Sequence, residues 1–223
     1  MHWNLIPARS QRPAVPAWER SADTARYDAG MEYSASTALI VVDVQNDFVD
    51  PAGSLSVAGG AASIPFINEQ IRTAIGAGAI VAYTRDWHPE TTPHFAKDGG
   101  IWPVHCVGDT WGSEFHPDLV VEGLEVRKGT GGEDGYSGFT VRDPETGREM
   151  PTGLDALLND AGVTEAVVVG LATDYCVKET ALDAARLGFA ATVLADGIRP
   201  VNLSPGDGAR AIADLVSAGV SVR

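Results

Sequence analysis

The stretch AVVVGLATDYCVKETALDAARLGF, residues 166–189, decides how this chain is to be read. Residues 166–171 form a short apolar, β-branched run of the kind that a parallel sheet buries on both faces. Over 174–187 the apolar residues recur instead at helical spacing. A strand feeding a helix through a short turn is the repeating unit of an α/β sheet, and this turn carries a single cysteine, Cys176. A thiol placed there lies near unpaired backbone N–H groups and the positive end of the helix dipole, both of which favour the thiolate. The same N–H groups can hold an oxyanion on a carbonyl carbon that the sulfur attacks. A free cysteine is also among the most commonly buried side chains, so a core role stays open at this point.

The same unit recurs on either side. An apolar run at 38–42 is followed by a Gly/Pro/Ser-rich loop (50–60) and a helical stretch, 61–77. Strands are expected at 79–84 and 124–128, and a helix at about 153–160 leads into 166–171. A fifth strand at 190–195, a helix at 207–218 and a short strand at 220–222 close the chain. The alternation predicts an α/β fold: a single domain with a doubly wound, mainly parallel sheet, helices on both faces and right-handed crossovers. Residues 1–36, proline-rich and then polar, read as an N-terminal extension to a domain spanning 37–223, with Trp3, Trp18 and Tyr27 as its means of docking. The long segment 85–122 has little regular signal. Such segments inside a compact domain are functional or disordered, and its Trp- and His-bearing turns argue for the former.

Composition narrows the partners. At 223 residues, 44% hydrophobic and 21% charged, the chain suits a soluble globular domain. A formal charge of −14 argues against nucleic acid and anionic membrane surfaces. No apolar run approaches a membrane span, and Pro7, Pro13 and Pro16 interrupt the N-terminus where a secretion signal would be continuous. Cytoplasmic residence is the default expectation, and with it Cys106 and Cys176 are expected as thiols rather than as a disulfide.

In such sheets ligands bind beyond the C-terminal strand ends. Asp43 follows the first strand, Asp86 and His88 the second, Lys128 ends the third, and Cys176 follows the fourth. Each has a plain explanation: a turn-forming aspartate, solvated lysine, histidines bonded within loops, a core cysteine. Those explanations account poorly for the set. Asp43 and Lys128 can stabilise each other and tune Cys176, the carboxylate as proton shuttle and the ammonium as electrostatic support. Asp86 and His88, at i and i+2 on extended chain, point the same way, and His94 and His105 follow. Such an O/N donor set suits Zn, Fe or Mn.

The segments ALIVVDVQNDFVDPAGSLSVAGG (38–60), YTRDWHPETTPHF (83–95), WPVHCVGDTWGSEFHPDL (102–119), VRKGT (126–130), YSGF (136–139) and VVVGLATDYCVKETALDAARLGF (167–189) resemble the nicotinamidases of the isochorismatase-like cysteine hydrolase superfamily. They run in that family's order and cover over half of 38–189, leaving 1–36 outside. The resemblance implies Cys176 as nucleophile, Asp43 as general acid/base and Lys128 as third member of a triad. It implies Asp86, His88 and His105 as ligands of one divalent metal ion, zinc first, with iron or manganese as alternatives. His94 falls where some relatives place a fourth ligand and others do not. It further implies a non-proline cis peptide at Leu171–Ala172, an oxyanion held by the N–H groups of Ala172 and Cys176, and a pocket lined by Phe48, Leu55, Trp102, Tyr136 and Tyr175. Two departures stand out: the loop DPAGS (50–54) is a residue longer than the commoner form, and the loop between Lys128 and Tyr136 is unusually glycine-rich, hence expected to be mobile. The activity implied is metal-dependent hydrolysis of nicotinamide to nicotinate and ammonia, with pyrazinamide as a further small-molecule substrate and a homo-oligomer as a compatible assembly. The nearest alternative is another hydrolase of the superfamily, of N-carbamoyl amidase type, whose members generally lack the histidine set. A non-catalytic homologue that only binds is the reading from a different class.

Overall fold

The six strands of the main sheet all run parallel, in the order β3-β2-β1-β6-β7-β8. They are β1 (Thr37–Val42), β2 (Ile80–Asp86), β3 (Leu124–Lys128), β6 (Glu165–Leu171), β7 (Ala190–Arg199) and β8 (Ser221–Val222). The computed structural model describes residues 31–223, so most of the extension read over 1–36, with Trp3, Trp18 and Tyr27, lies outside the described residues. Crossovers are made by α2 (Gly60–Gly76), α3 (Leu154–Asp160), α4 (Lys178–Arg186) and α5 (Asp207–Ser217); α1 (Asn46–Val49) is a single turn after β1.

The continuous apolar runs of β1 and β6 are explained by burial on both faces. Ala38, Ile40 and Val42 share one buried cluster with Ala166 and Val168, Leu154 and Leu158 of α3, Ala181 and Ala184 of α4, and Leu215 of α5. The residues between them point to the opposite face, where α2 packs on β1, β2, β6 and β7. Gly197 of β7 is pressed there between Val169 and Phe66 of α2, each within 3.2 Å of where a side chain would begin. The expected doubly wound α/β arrangement is the one observed.

Two local features differ from the expectation, and a third bears it out. The helix read over 174–187 is regular only from Lys178; Thr173–Val177 is one π-helical turn, with the N–H groups of Tyr175 and Val177 both donating to the Ala172 carbonyl. A two-stranded antiparallel hairpin, β4 (Thr140–Arg142) and β5 (Glu149–Pro151), was not foreseen; its strands are short and solvent-facing, and Thr140 Oγ1 ties it to Asp183 of α4 at 2.8 Å. Segment 85–122 is ordered through bridges pairing His88 with Val107, Phe95 with Trp102, and Gln45 with Phe115. Among the described residues no helix is long and apolar enough to cross a membrane.

Candidate active site

Strand register brings the chemistry together. Val42 of β1 pairs with Thr84 of β2 on one side and with Gly170 of β6 on the other, while Asp86 of β2 pairs with Lys128 of β3. Residues in register on adjacent strands point to the same face, so Asp86 and Lys128 are neighbours by construction. Gly170 lies so close to β1 that a Cβ would stand 2.1 Å from the Val42 carbonyl oxygen, and its φ of +114° is itself open only to glycine. This close approach lets the chain leave β6 alongside the end of β1, with the expected cis peptide at Leu171–Ala172, and enter the turn of Cys176.

Asp43 adopts a left-handed φ of +49°, uncommon for a non-glycine residue. Its N–H donates to the Thr84 carbonyl at 3.2 Å, and its carboxylate turns inward to accept from Thr84 Oγ1 at 2.6 Å. Lys128, 1% exposed, is the hub. Its Nζ donates to Asp43 Oδ2 at 2.7 Å, to the Tyr136 carbonyl at 3.2 Å and to Cys176 Sγ at 3.5 Å. It also lies 2.8 Å from Asp86 Oδ1, an ion pair off the hydrogen-bonding line, for that oxygen has no aligned donor. Cys176 Sγ and one oxygen each of Asp43 and Asp86 fall within 4.8 Å of one another. The structure thus brings Asp43, Lys128 and Cys176 together, and adds an Asp86–Lys128 contact not foreseen.

Burial governs the charges. It pushes the Asp43 carboxyl up, against the Lys128 ammonium that favours ionisation and with the neighbouring Asp86. For Asp86 burial acts in the same sense but is outweighed by Lys128 and the two histidines, leaving that carboxyl well below the usual range. Burial works against the Lys128 ammonium, yet Asp43 and Asp86 hold it charged well above its ordinary value. The Cys176 thiol is raised by burial, with Lys128 pulling it down and the two carboxylates pushing it up. This corrects the expectation of a thiolate favoured by the start of a helix: the thiol is buried and needs a base to ionise it. Cys106 is likewise a buried free thiol, and no disulfide joins the two.

Beside this cluster, ring nitrogens of His88, His94 and His105 lie within 4.8 Å of one another. Asp86 Oδ2 is 3.8 Å from His88 Nε2 and 3.9 Å from His105 Nε2. His105 Nδ1 donates to the Pro103 carbonyl at 2.7 Å, so its Nε2 carries the lone pair inward. His94 Nδ1 is 2.8 Å from Asp134 Oδ1, a carboxylate that this bond holds below its usual range. Both nitrogens of His88 are buried without any partner, a desolvation cost of about 1–3 kcal/mol per group unless a ligand meets them. Burial lowers His105 to about 4, which keeps it neutral as a metal ligand must be. The orphaned nitrogens and the carboxylate–imidazole donor set fit a divalent metal ion, and His94 stands with the other two histidines.

Phe48, Leu55, Trp102, Tyr136 and Tyr175 line one pocket, together with Cys176, Ala172, Asp86, His94 and His105. Trp102 Nε1 donates to Tyr136 Oη at 3.1 Å and its ring meets Tyr175 edge-on with centroids 4.9 Å apart. Leu171, Val57 and Val201 complete the wall; the two valines were not foreseen, because isolated valines in loops carry no signal. Asp134 was also missed; it sits in the glycine-rich loop expected to be mobile. That loop is anchored there, through His94 and through backbone bonds in both directions between Asp134 and Arg142.

Residues 37–222 match the isochorismatase domain family. The chain is 36% identical over 203 residues to the nicotinamidase of Escherichia coli, covering 83% of this chain and 93% of that protein. It is 44% identical over 163 residues to the nicotinamidase/pyrazinamidase of Mycobacterium tuberculosis, covering 71% and 84% respectively. Among solved structures, the pyrazinamidase of Pyrococcus horikoshii in complex with zinc superposes with a TM-score of 0.74 at 40% identity, over 84% of this chain and 98% of that one.

Proposed function

We infer that this chain, which belongs to the isochorismatase family, is an amidohydrolase that converts nicotinamide to nicotinate and ammonia through Asp43, Lys128 and Cys176. The observation that carries the reading is the buried ammonium of Lys128 in contact with Asp43, Asp86 and Cys176 at once. A thiol raised by burial needs a nearby base, and Asp43, itself raised by burial, can take its proton and return it.

In the proposed sequence Asp43 accepts the Cys176 proton as Sγ attacks the amide carbon. The Ala172 and Cys176 N–H groups receive the oxyanion. Asp43, now protonated, delivers that proton to the departing nitrogen, releasing ammonia and leaving an acyl-thioester. The same carboxylate then takes a proton from water as its oxygen attacks the thioester carbon, and returns it to the Cys176 sulfur as the acid leaves. Lys128 stays charged throughout, because both carboxylates hold it so. A divalent metal held by Asp86, His88, His94 and His105 would supply a Lewis acid for the ring nitrogen of a pyridine carboxamide. Zinc is proposed first, since it is the ion of the Pyrococcus horikoshii pyrazinamidase structure. The flat aromatic walls of Trp102, Tyr136 and Tyr175 suit such a ring.

The test is ammonia release from nicotinamide by the full chain, as purified and after chelation. Activity that falls on chelation, returns with zinc and drops at least about a thousandfold in Cys176→Ala is expected. Near-normal turnover by Cys176→Ala overturns the scheme, and release only from an N-carbamoyl substrate transfers the chain to the alternative hydrolase class.

A further inference from the structure

Asp47 is a buried carboxylate that the proposed chemistry does not use. It sits in α1, four residues after Asp43, with 8% of its surface exposed. Its two oxygens are committed to two different loops. Oδ1 accepts the Ser54 N–H at 3.0 Å, and Oδ2 accepts the Cys106 N–H at 2.7 Å. Space for the carboxylate is made by Gly112, where a Cβ would stand 2.0 Å from Oδ2. The main chain of Asp47 adds a bond of its own, from the Leu55 N–H at 3.1 Å.

Each loop ends on a working residue. Ser54 precedes Leu55, which lines the pocket. Cys106 follows His105 and adopts a left-handed φ of +45°. Its carbonyl accepts the His88 N–H at 2.9 Å, so the Cys106 residue is held by Asp47 at one end and by His88 at the other. A non-glycine residue keeps such a conformation only where its surroundings enforce it, and the Asp47 carboxylate is the polar group that meets its N–H. His105 hangs from that turn.

We propose that Asp47 is a positioning residue that sets the His105 turn against His88 for metal binding and, through its other oxygen, sets the pocket wall at Leu55. The inference rests on the metal-site reading given above. Asp47→Asn keeps the shape but turns one acceptor into a donor facing a backbone N–H, so one of the two loops is released. Gly112→Ala displaces the carboxylate and leaves its charge intact, and it serves in place of Asp47→Asn if that variant does not fold. The measurements are zinc affinity by competition with a chromophoric chelator, the melting temperature of the metal-free chain, and KM and kcat for nicotinamide at saturating zinc. The expected result is zinc affinity weakened about 10–100-fold, with KM raised more than kcat is lowered once zinc is saturating. A lowered melting temperature with unchanged zinc affinity and KM makes Asp47 merely structural and overturns the proposal. A wild-type chain that binds no zinc overturns the metal-site reading and this inference together; a wild-type chain that binds zinc with Asp47→Asn indistinguishable from it overturns the inference alone.

Discussion

Replacing Lys128 with methionine removes one positive charge from a site where two carboxylates, Asp43 and Asp86, face it at 2.7 and 2.8 Å with almost no access to water. The methionine fills much of the same volume, so packing is nearly conserved and the change is chiefly electrostatic. Two buried carboxylates are then left facing each other without a cation, the situation in which breaking a buried pair costs about 3–5 kcal/mol. Against a total stability of about 5–15 kcal/mol for a domain, that is about a fifth of it or more. At roughly 2–4 °C per kcal/mol for this size, the melting temperature falls by about 6–20 °C. The assay is urea and thermal unfolding of the chelator-treated chain, so that a bound metal does not offset the loss. A double-mutant cycle with Asp43→Asn isolates the cause. Asp43→Asn/Lys128→Met loses less than the sum of the two single variants, by about 1–3 kcal/mol, because the second change removes one of the repelling charges. A loss below about 1 kcal/mol for Lys128→Met, or strict additivity in the cycle, refutes the account of Lys128 as a compensating hub.

Gly170→Ala places a methyl 2.1 Å from the Val42 carbonyl oxygen at a φ of +114°, so a loss of about 3 kcal/mol or more is expected in chemical denaturation; a change under 1 kcal/mol would show that the β1–β6 seam yields more easily than its packing indicates. Asp134→Asn weakens the charge-assisted bond that orients His94 at 2.8 Å, and zinc affinity measured by chelator competition drops about 10–100-fold. An unchanged affinity there removes His94 from the ligand set.

What was legible in the sequence was what repeats or stands at a strand end. The strands at 38–42 and 166–171 announce themselves because burial on both faces makes them uniformly apolar. Asp43, Asp86, Lys128 and Cys176 are visible as polar residues where such runs stop. The Asp86–Lys128 contact was not visible, because it depends on β3 lying next to β2, and the order of strands in a sheet is not written in any one of them. The hairpin β4–β5 escaped because three-residue polar strands leave no periodicity to count. The π turn at Thr173–Val177 escaped because five residues are too few to separate one helical period from another. The thiol's acidity was not legible for a physical reason: the strand-to-helix position shows only the dipole and N–H groups, while the burial and the two carboxylates that push the thiol up come from the folded surroundings. Asp134 and Asp47 are single acidic residues in loops, and only their partners give them meaning.

The central seam of the sheet joins Thr37 to Glu165, residues far apart along the chain, in parallel register. Such pairing forms late, because a long loop must close before any contact rewards it. During synthesis the acid at 43 emerges before the thiol at 176, and the two cannot meet until the whole stretch between them has been made. The pocket therefore cannot exist before β6 and the turn after it have been made, and a nascent or truncated chain ending before β6 carries both carboxylates and the lysine without the sulfur that lies against them.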